Sequence, residues 1–199
     1  KTDAQQRDTH ARLFPPEQLG LHESADRDEW QQPQRVMDSL GIFDGAKVAD
    51  IGAGGGWFTI RLSRRVGPNG VVYAEDIQPQ MIESIRRRVA REGLKNVEPK
   101  LGTASDPQLP KGMHAVLMVD TYPQIREPIP LLKKVAECLT PTGKLGIVDF
   151  KLDGAGGPGP ELDERVSPEV IKRHAAAAGL KLISHETYLR YQYLLVFGK

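Results

Sequence analysis

The chain has 199 residues, 39% hydrophobic and 27% charged, with a formal net charge of +1. That composition suits one ordinary globular domain and gives no global pull toward nucleic acid or an acidic membrane surface. No apolar run reaches the roughly 18 residues of a membrane span, and a single cysteine, Cys138, excludes an internal disulfide and argues against a cysteine metal site.

Residues 1–29 are polar, charged and aperiodic, and read as an N-terminal arm or lid in front of a domain over 30–199. Leu13, Phe14, Leu19 and Leu21 are the residues that would dock it. His10 and His22 fall here and read first as solvent-exposed histidines. The chain starts at Lys1 rather than methionine; a cytoplasmic location is expected, with a removed signal peptide left open. A helix is predicted over Trp30–Leu40, with Pro33 near its first turn and Val36, Met37 and Leu40 as its apolar face.

The stretch from Val48 to Asp76 carries most of the information. Val48–Ile51 is short, apolar and β-branched, as the end of a buried parallel strand is. Gly52, Gly54, Gly55 and Gly56 follow, where the absence of Cβ allows a sharp turn and a close approach of backbone to ligand. Phe58, Leu62 and Val66 recur on one face of a helix, which Gly67-Pro68-Asn69-Gly70 stops. A second strand then ends in Glu75-Asp76. Strand, glycine turn, helix, strand and acid make up a nucleoside-binding half of a Rossmann-like sheet, with the acid suited to a ribose diol. The spacing is not the dinucleotide fingerprint G-x-G-x-x-G: counted from Gly52 or from Gly54, its third glycine would fall on Trp57 or Thr59.

Beyond it, Gln78-Pro79 opens a helix to about Glu92, with Gly93 as its stop. Met81, Ile82, Ile85 and Val89 form the buried side, and Arg86, Arg87, Arg88 and Arg91 read as a solvated face rather than a nucleic-acid patch. Strands are predicted over Asn96–Leu101, Ala115–Val119 and Lys144–Phe150, with a helix marked by Ile129, Leu132, Val135, Ala136 and Leu139 before the last of these. Cys138 in that helix reads as buried and inert. Gly154–Pro160 is a glycine- and proline-rich loop expected at the mouth of the site. Ser167 and Pro168 start a final helix ended by Gly179. Lys181–Tyr188 and Tyr191–Phe197 read as a hairpin.

The acid-x-G-x-G-x-G pattern from Asp50 to Gly56, with the following acid at Asp76, resembles motif I of the class I S-adenosylmethionine (SAM) dependent methyltransferases. Leu139-Thr140-Pro141-Thr142-Gly143-Lys144 resembles the turn that leads into that family's fifth strand. The resemblance runs from about Trp30 to the end. It is nearest to small-molecule enzymes of the ubiquinone/menaquinone-biosynthesis type and to relatives that end in a Tyr-Gln-Tyr strand, here Tyr191, Gln192 and Tyr193. It implies a Rossmann-like three-layer α/β/α sandwich on a seven-stranded, mostly parallel sheet of order 3-2-1-4-5-7-6 with strand 7 antiparallel.

The resemblance also implies site roles. Asp50 would orient the methionine ammonium; the backbone at Gly52, Ala53, Gly54, Gly56 and Trp57 would run along the cofactor; Asp76 would take the ribose hydroxyls; Ile77 would pack on the adenine. Thr103 and Ala104 would line the adenine edge, although the family often has an acid where Thr103 stands. Asp106 either replaces that acid or only caps its turn. Asp120 and Thr121 would face the methionine part. Methyl transfer from a sulfonium asks mainly for alignment and exclusion of water. A hydroxyl or acidic-carbon acceptor also needs deprotonation. Tyr122, as an orienting hydroxyl, then His22 and Tyr191 are the candidates, each also readable as packing or surface. Pro123 and Gln124 stand where many relatives have histidines.

The Asn-Pro-Pro-Tyr type motif of base-modifying enzymes is absent after the fourth strand, and arsenic methylation needs more than one cysteine. A small acceptor, aromatic or quinone-like, remains. Two other readings are a SAM-binding sensor or partner protein without catalysis, and a nicotinamide-dependent reductase.

Overall fold

A computed structural model of the protein describes residues 13–17, 23–153 and 157–199; His10, Leu19, Leu21, His22 and the start of the Gly154–Pro160 loop lie outside the described residues. Seven strands form one sheet in the order β3-β2-β1-β4-β5-β7-β6. They are β1 (Lys47–Ile51), β2 (Val71–Asp76), β3 (Val97–Leu101), β4 (Met113–Val119), β5 (Leu139–Phe150), β6 (Lys181–Glu186) and β7 (Gln192–Gly198). The pairs from β3 through β5 are parallel, and β7 runs against both β5 and β6. This is the Rossmann-like arrangement expected from the sequence.

The apolar runs dictate the layering. In β4, Val116 and Met118 point to one face of the sheet and Ala115, Leu117 and Val119 to the other, the alternation a pleated strand imposes. On the first face Val116, Met118 and Ile147 pack with Leu132 and Val135 of α5 (Pro128–Cys138) and with Ile171 and Ala175 of α6 (Pro168–Ala177). On the second, Val48, Val72 and Leu117 pack with Val36 and Met37 of α2 (Pro33–Ser39) and with Leu62 and Val66 of α3 (Trp57–Val66). Ile82 and Ile85 of α4 (Pro79–Arg91) close over Ala74 beside them. Because both faces are covered, the central strands are apolar almost throughout rather than alternating. Cys138 is buried, as its helical context predicts. Among the described residues no helix is long and apolar enough to cross a membrane.

The single helix predicted over Trp30–Leu40 is two: α1 (Arg27–Gln31) and α2, separated by Gln32 at φ 47°. The cause is Pro33, whose ring disfavours helical backbone at the residue before it, so α1 stops at Gln31 and Pro33 serves as the first residue of α2. The helix therefore begins three residues earlier than its apolar pattern suggests, and Arg27 and Gln31 are buried. β5 also begins earlier than Lys144, because Leu139 already pairs with Met113 before a register shift. The sheet ends are blunted. Edge strand β3 carries Pro99 between Glu98 and Lys100, and edge strand β6 is irregular between Leu182 and Ser184.

The start of α6 is held by Ser167, whose hydroxyl accepts from the Glu169 amide at 3.2 Å. Ser167→Ala is expected to cost about 1 kcal/mol of stability, read as a lower urea midpoint at an unchanged slope; an unchanged midpoint would show that the cap carries no stability.

Candidate functional site

The sheet order reverses between β1 and β4, and in an open parallel sheet a crevice forms there, beyond the carboxyl ends of the strands. A cavity lies at this point. β1 delivers Asp50 and the glycine turn, β2 delivers Glu75 and Asp76, β4 delivers Asp120 and Thr121, and the loop after β3 delivers Thr103 and Ala104.

The turn is shaped by two neighbouring acids. Gly52 has φ 70° and Gly54 φ 55°, in the left-handed region where a side chain is strained. A Cβ on Gly52 would fall inside contact distance of the Thr121 side chain. The Gly52 amide donates to Glu75 Oε2 at 3.3 Å and the Gly54 amide to Asp76 Oδ2 at 3.1 Å. Asp76 Oδ1 accepts from the Gln78 amide at 3.0 Å. Consecutive side chains of β2 thus tie down alternate amides of one loop. Behind the loop Arg88 donates to the Gly55 carbonyl at 3.2 Å and forms an ion pair with Glu23. Arg88 is therefore a brace and not part of the solvated arginine face, unlike exposed Arg86, Arg87 and Arg91.

Burial dominates the electrostatics. Asp50 is 2% exposed and accepts from the Thr59 hydroxyl at 2.7 Å. Desolvation pushes its carboxyl up to about 7, against the Thr59 hydrogen bond and the attraction of Arg27. Glu75 is pushed up to about 8, first by burial and then by the neighbouring charge of Asp76. Asp76 is raised by burial, with the amides of Gln78, Gly54 and Ile77 pulling the other way. Glu75 Oε1 is buried and has no hydrogen-bond partner among the described residues. An acidic cradle with bare backbone and a buried polar atom is suited to a cationic or hydroxyl-bearing ligand, and so fits a nucleoside joined to an amino-acid tail.

Asp120 has φ 56°, a rare conformation for a non-glycine residue and one found at constrained sites. Its amide donates to the Val148 carbonyl at 3.0 Å. Its carboxylate accepts from Gln31 Nε2 at 3.3 Å, from Gln192 Nε2, and from Arg27 at 3.5 Å. Gln31 Nε2 also donates to Gln192 Oε1 at 2.9 Å. Residues from α1, the end of β4 and the start of β7 thereby converge on one carboxylate.

Of the residues singled out for the cofactor, Asp50, Gly52, Ala53, Gly54 and Trp57 line the cavity, as do Asp76, Ile77, Thr103, Ala104, Asp120 and Thr121. Gly56 does not; it is the left-handed residue that starts α3. Asp106 does not either. Its side chain accepts from the Gln108 amide at 2.7 Å and its carbonyl from the Thr103 amide at 2.8 Å, so of its two readings the turn cap is the one observed.

The catalytic candidates fare differently. Tyr122 is 3% exposed, packs in the α5–α6 core layer, and its hydroxyl meets His174 Nδ1 at 2.9 Å. It does not line the cavity, and burial pushes its phenol well above the ordinary range. Tyr191 lies outside the cavity and packs edge-on against Trp30 at 6.1 Å. His22 lies outside the described residues. Sequence reasoning missed Glu75, although the Glu75-Asp76 dipeptide displays it, and missed Arg27, Gln31 and Gln192 as site residues. Of the residues expected to dock the arm, Leu13 and Phe14 line the cavity, and Gln78 Nε2 donates to the Phe14 carbonyl at 3.0 Å.

Residues 48–143 match the family model described as a methyltransferase domain. A SAM-dependent methyltransferase from Aquifex aeolicus, known from a crystal structure, superposes with a TM-score of 0.87 at 27% identity, over 93% of this chain and 98% of that one. The protein-L-isoaspartate O-methyltransferase of Pyrococcus horikoshii is 32% identical over 57% of this chain and 50% of its own length. The demethylmenaquinone methyltransferase of Lactococcus lactis is 28% identical over 58% of this chain and 46% of its own. The chain spans about half the length of these curated relatives. The matched segment begins on β1 and holds the whole glycine turn, both acids of β2 and the end of β4, and with the Aquifex likeness it supports S-adenosylmethionine as the cofactor.

Proposed function

We propose that this protein transfers a methyl group from S-adenosylmethionine to a small, planar acceptor of aromatic or quinone-like character. The observation that carries the reading is the glycine turn held by Glu75 and Asp76 at the mouth of a cavity walled by carboxylates. Asp76, already anchored by two backbone amides, takes the ribose hydroxyls. Ile77, Thr103 and Ala104 form the adenine end. Asp50, with Asp120 and Thr121, holds the amino-acid end. When bound, the cofactor supplies an electrophilic methyl group on a sulfonium. The protein's part is to fix the line of approach and keep water out, which needs no elaborate set of acids and bases.

The aromatic character of the acceptor is supported by two observations. Trp30, Phe150 and Tyr191 cluster beside the Gln31–Asp120–Gln192 contacts, with Trp30 6.0 Å from Phe150 and 6.1 Å from Tyr191. The Lactococcus relative's name, a demethylmenaquinone methyltransferase, points the same way. The Pyrococcus relative's name favours a second reading, a carboxylate on a protein chain. Incubation with SAM and either a demethylated quinol or an isoaspartyl peptide separates the two by which product gains a methyl group. Tight SAM binding with no S-adenosylhomocysteine formed on any acceptor would instead favour a sensor or partner protein.

Asp76→Ala is expected to weaken SAM binding by about 1.5–3 kcal/mol, roughly tenfold to a hundredfold in Kd by calorimetry. An unchanged Kd would remove Asp76 from the ribose site. A second expectation concerns pH. The Asp50 carboxyl is pushed up to about 7, so below that pH it is largely neutral and offers the ammonium no charge. SAM affinity should rise from pH 6 to pH 8, with a proton released on binding near pH 7. Asp50→Asn should both weaken binding and flatten that rise. Calorimetry in buffers of different ionisation enthalpy reads the proton directly, and a pH-independent wild-type Kd would contradict the role given to Asp50.

A further inference from the structure

The cofactor crevice lies at the carboxyl ends of the parallel strands. At their amino ends a second cavity of about 230 Å³ opens between the loop that follows α2 and the starts of β4 and β5. The two share no lining residue. His114, near the start of β4, lines this cavity, while Asp120, just past the end of that strand, lines the crevice, which sets them roughly 20 Å apart. The walls also differ in chemistry. The crevice holds four acids, whereas the second cavity has no aspartate or glutamate in its wall, and its polar residues are His114, Thr140, Thr142 and Lys144. Lys144 has no hydrogen-bond or ion-pair partner among the described residues. Asp44, the acid that follows Phe43, lies against Gly67 instead. The Lys47 amide donates to His114 Nδ1 at 2.9 Å, so Nδ1 is an acceptor and the ring's Nε2–H is left as a donor. Thr140 Oγ1 is buried and has no hydrogen-bond partner among the described residues, an unmade bond that a ligand oxygen can complete.

We infer that this cavity is a second ligand site, for a small oxyanion (a phosphate or a carboxylate) carried on a flat apolar body. Lys144 supplies the charge, and His114 with the hydroxyls of Thr140 and Thr142 supplies uncharged donors. Hydrogen bonds to an ionised acceptor are the strong ones, and here they come from a wall with no acid to compete for them. The same absence of acids lets an anion enter without the repulsion it meets in the crevice. Phe43 provides for the apolar body. It is 50% exposed, an unusual placing for a large aromatic ring, and it stands edge-on to His114 with ring centres 5.0 Å apart. Leu40 and Ile42 line the cavity with it. A flat ring bound against Phe43 gains an aromatic contact and covers surface that water otherwise wets. Charge, donors and an exposed ring thus meet in one hollow, away from the methyl-transfer chemistry.

The test is a calorimetric titration of the intact protein with phenyl phosphate, alone and with saturating SAM. Saturable binding with a Kd below about 1 mM is expected, changed less than about threefold by SAM because the two sites share no residue. Phenol, the same ring without the anion, should bind at least about tenfold more weakly. Lys144→Gln should weaken phenyl phosphate about tenfold or more and leave SAM affinity unchanged. Phe43→Ser, at a half-exposed position, should weaken phenyl phosphate but not inorganic phosphate, since it removes only the ring contact. Benzoate distinguishes the two acids: whichever of benzoate and phenyl phosphate binds more tightly names the ligand's acid group, and either order supports the site. No saturable binding of either compound up to about 10 mM overturns the inference. Loss of binding when SAM is present also overturns it, because the anion would then occupy the crevice. A Lys144→Gln protein that binds phenyl phosphate like the wild type overturns it as well.

Discussion

The site depends on one constraint: two consecutive acids at the end of β2 hold alternate amides of the glycine turn. Successive side chains of a strand point to opposite faces, so Glu75 and Asp76 grip the loop from two sides. The same hydrogen bonds set the electrostatics of the cavity. Carboxylates that accept from backbone amides are stabilised as anions, while burial drives them the other way, and for Glu75 and Asp76 burial wins. The cavity therefore holds more acid groups than full charges, a condition that a cation entering it would reverse.

Around that constraint the fold supplies position rather than chemistry. The parallel sheet brings the ends of β1, β2 and β4 to one crevice. Helices on both faces make the strands apolar and rigid. Phe14, Glu23 and α1 meet the crevice through particular polar contacts: Phe14 with Gln78, Glu23 with Arg88, and Arg27 and Gln31 with Asp120.

Much of this was legible in the sequence because it is written in local backbone terms. Apolar β-branched runs marked the strands, glycines marked positions with positive φ, and the acid at the end of the second strand marked a residue that lines the cavity. Parts that rest on contacts between distant residues were silent. Gln31 meets Asp120 across 89 positions, and no periodicity announces it. Tyr122 was misplaced for a related reason. It stands two residues after left-handed Asp120, in a short 3-10 turn, and there its side chain joins the α5–α6 core layer while Thr121 lines the cavity. The break at Gln32 could be read from Pro33 but was overridden by the apolar pattern on either side. The aromatic cluster was hidden likewise, since Trp30 and Tyr191 come together only when β7 docks beside β5.

Gln31 and Gln192 touch each other and the same carboxylate, although one belongs to α1 and the other to β7. α1 and β7 are thus sewn together at a carboxylate that lines the cavity instead of on some remote surface. Shortening the chain from either side cuts the same stitch, so truncations at opposite ends should produce one shared defect.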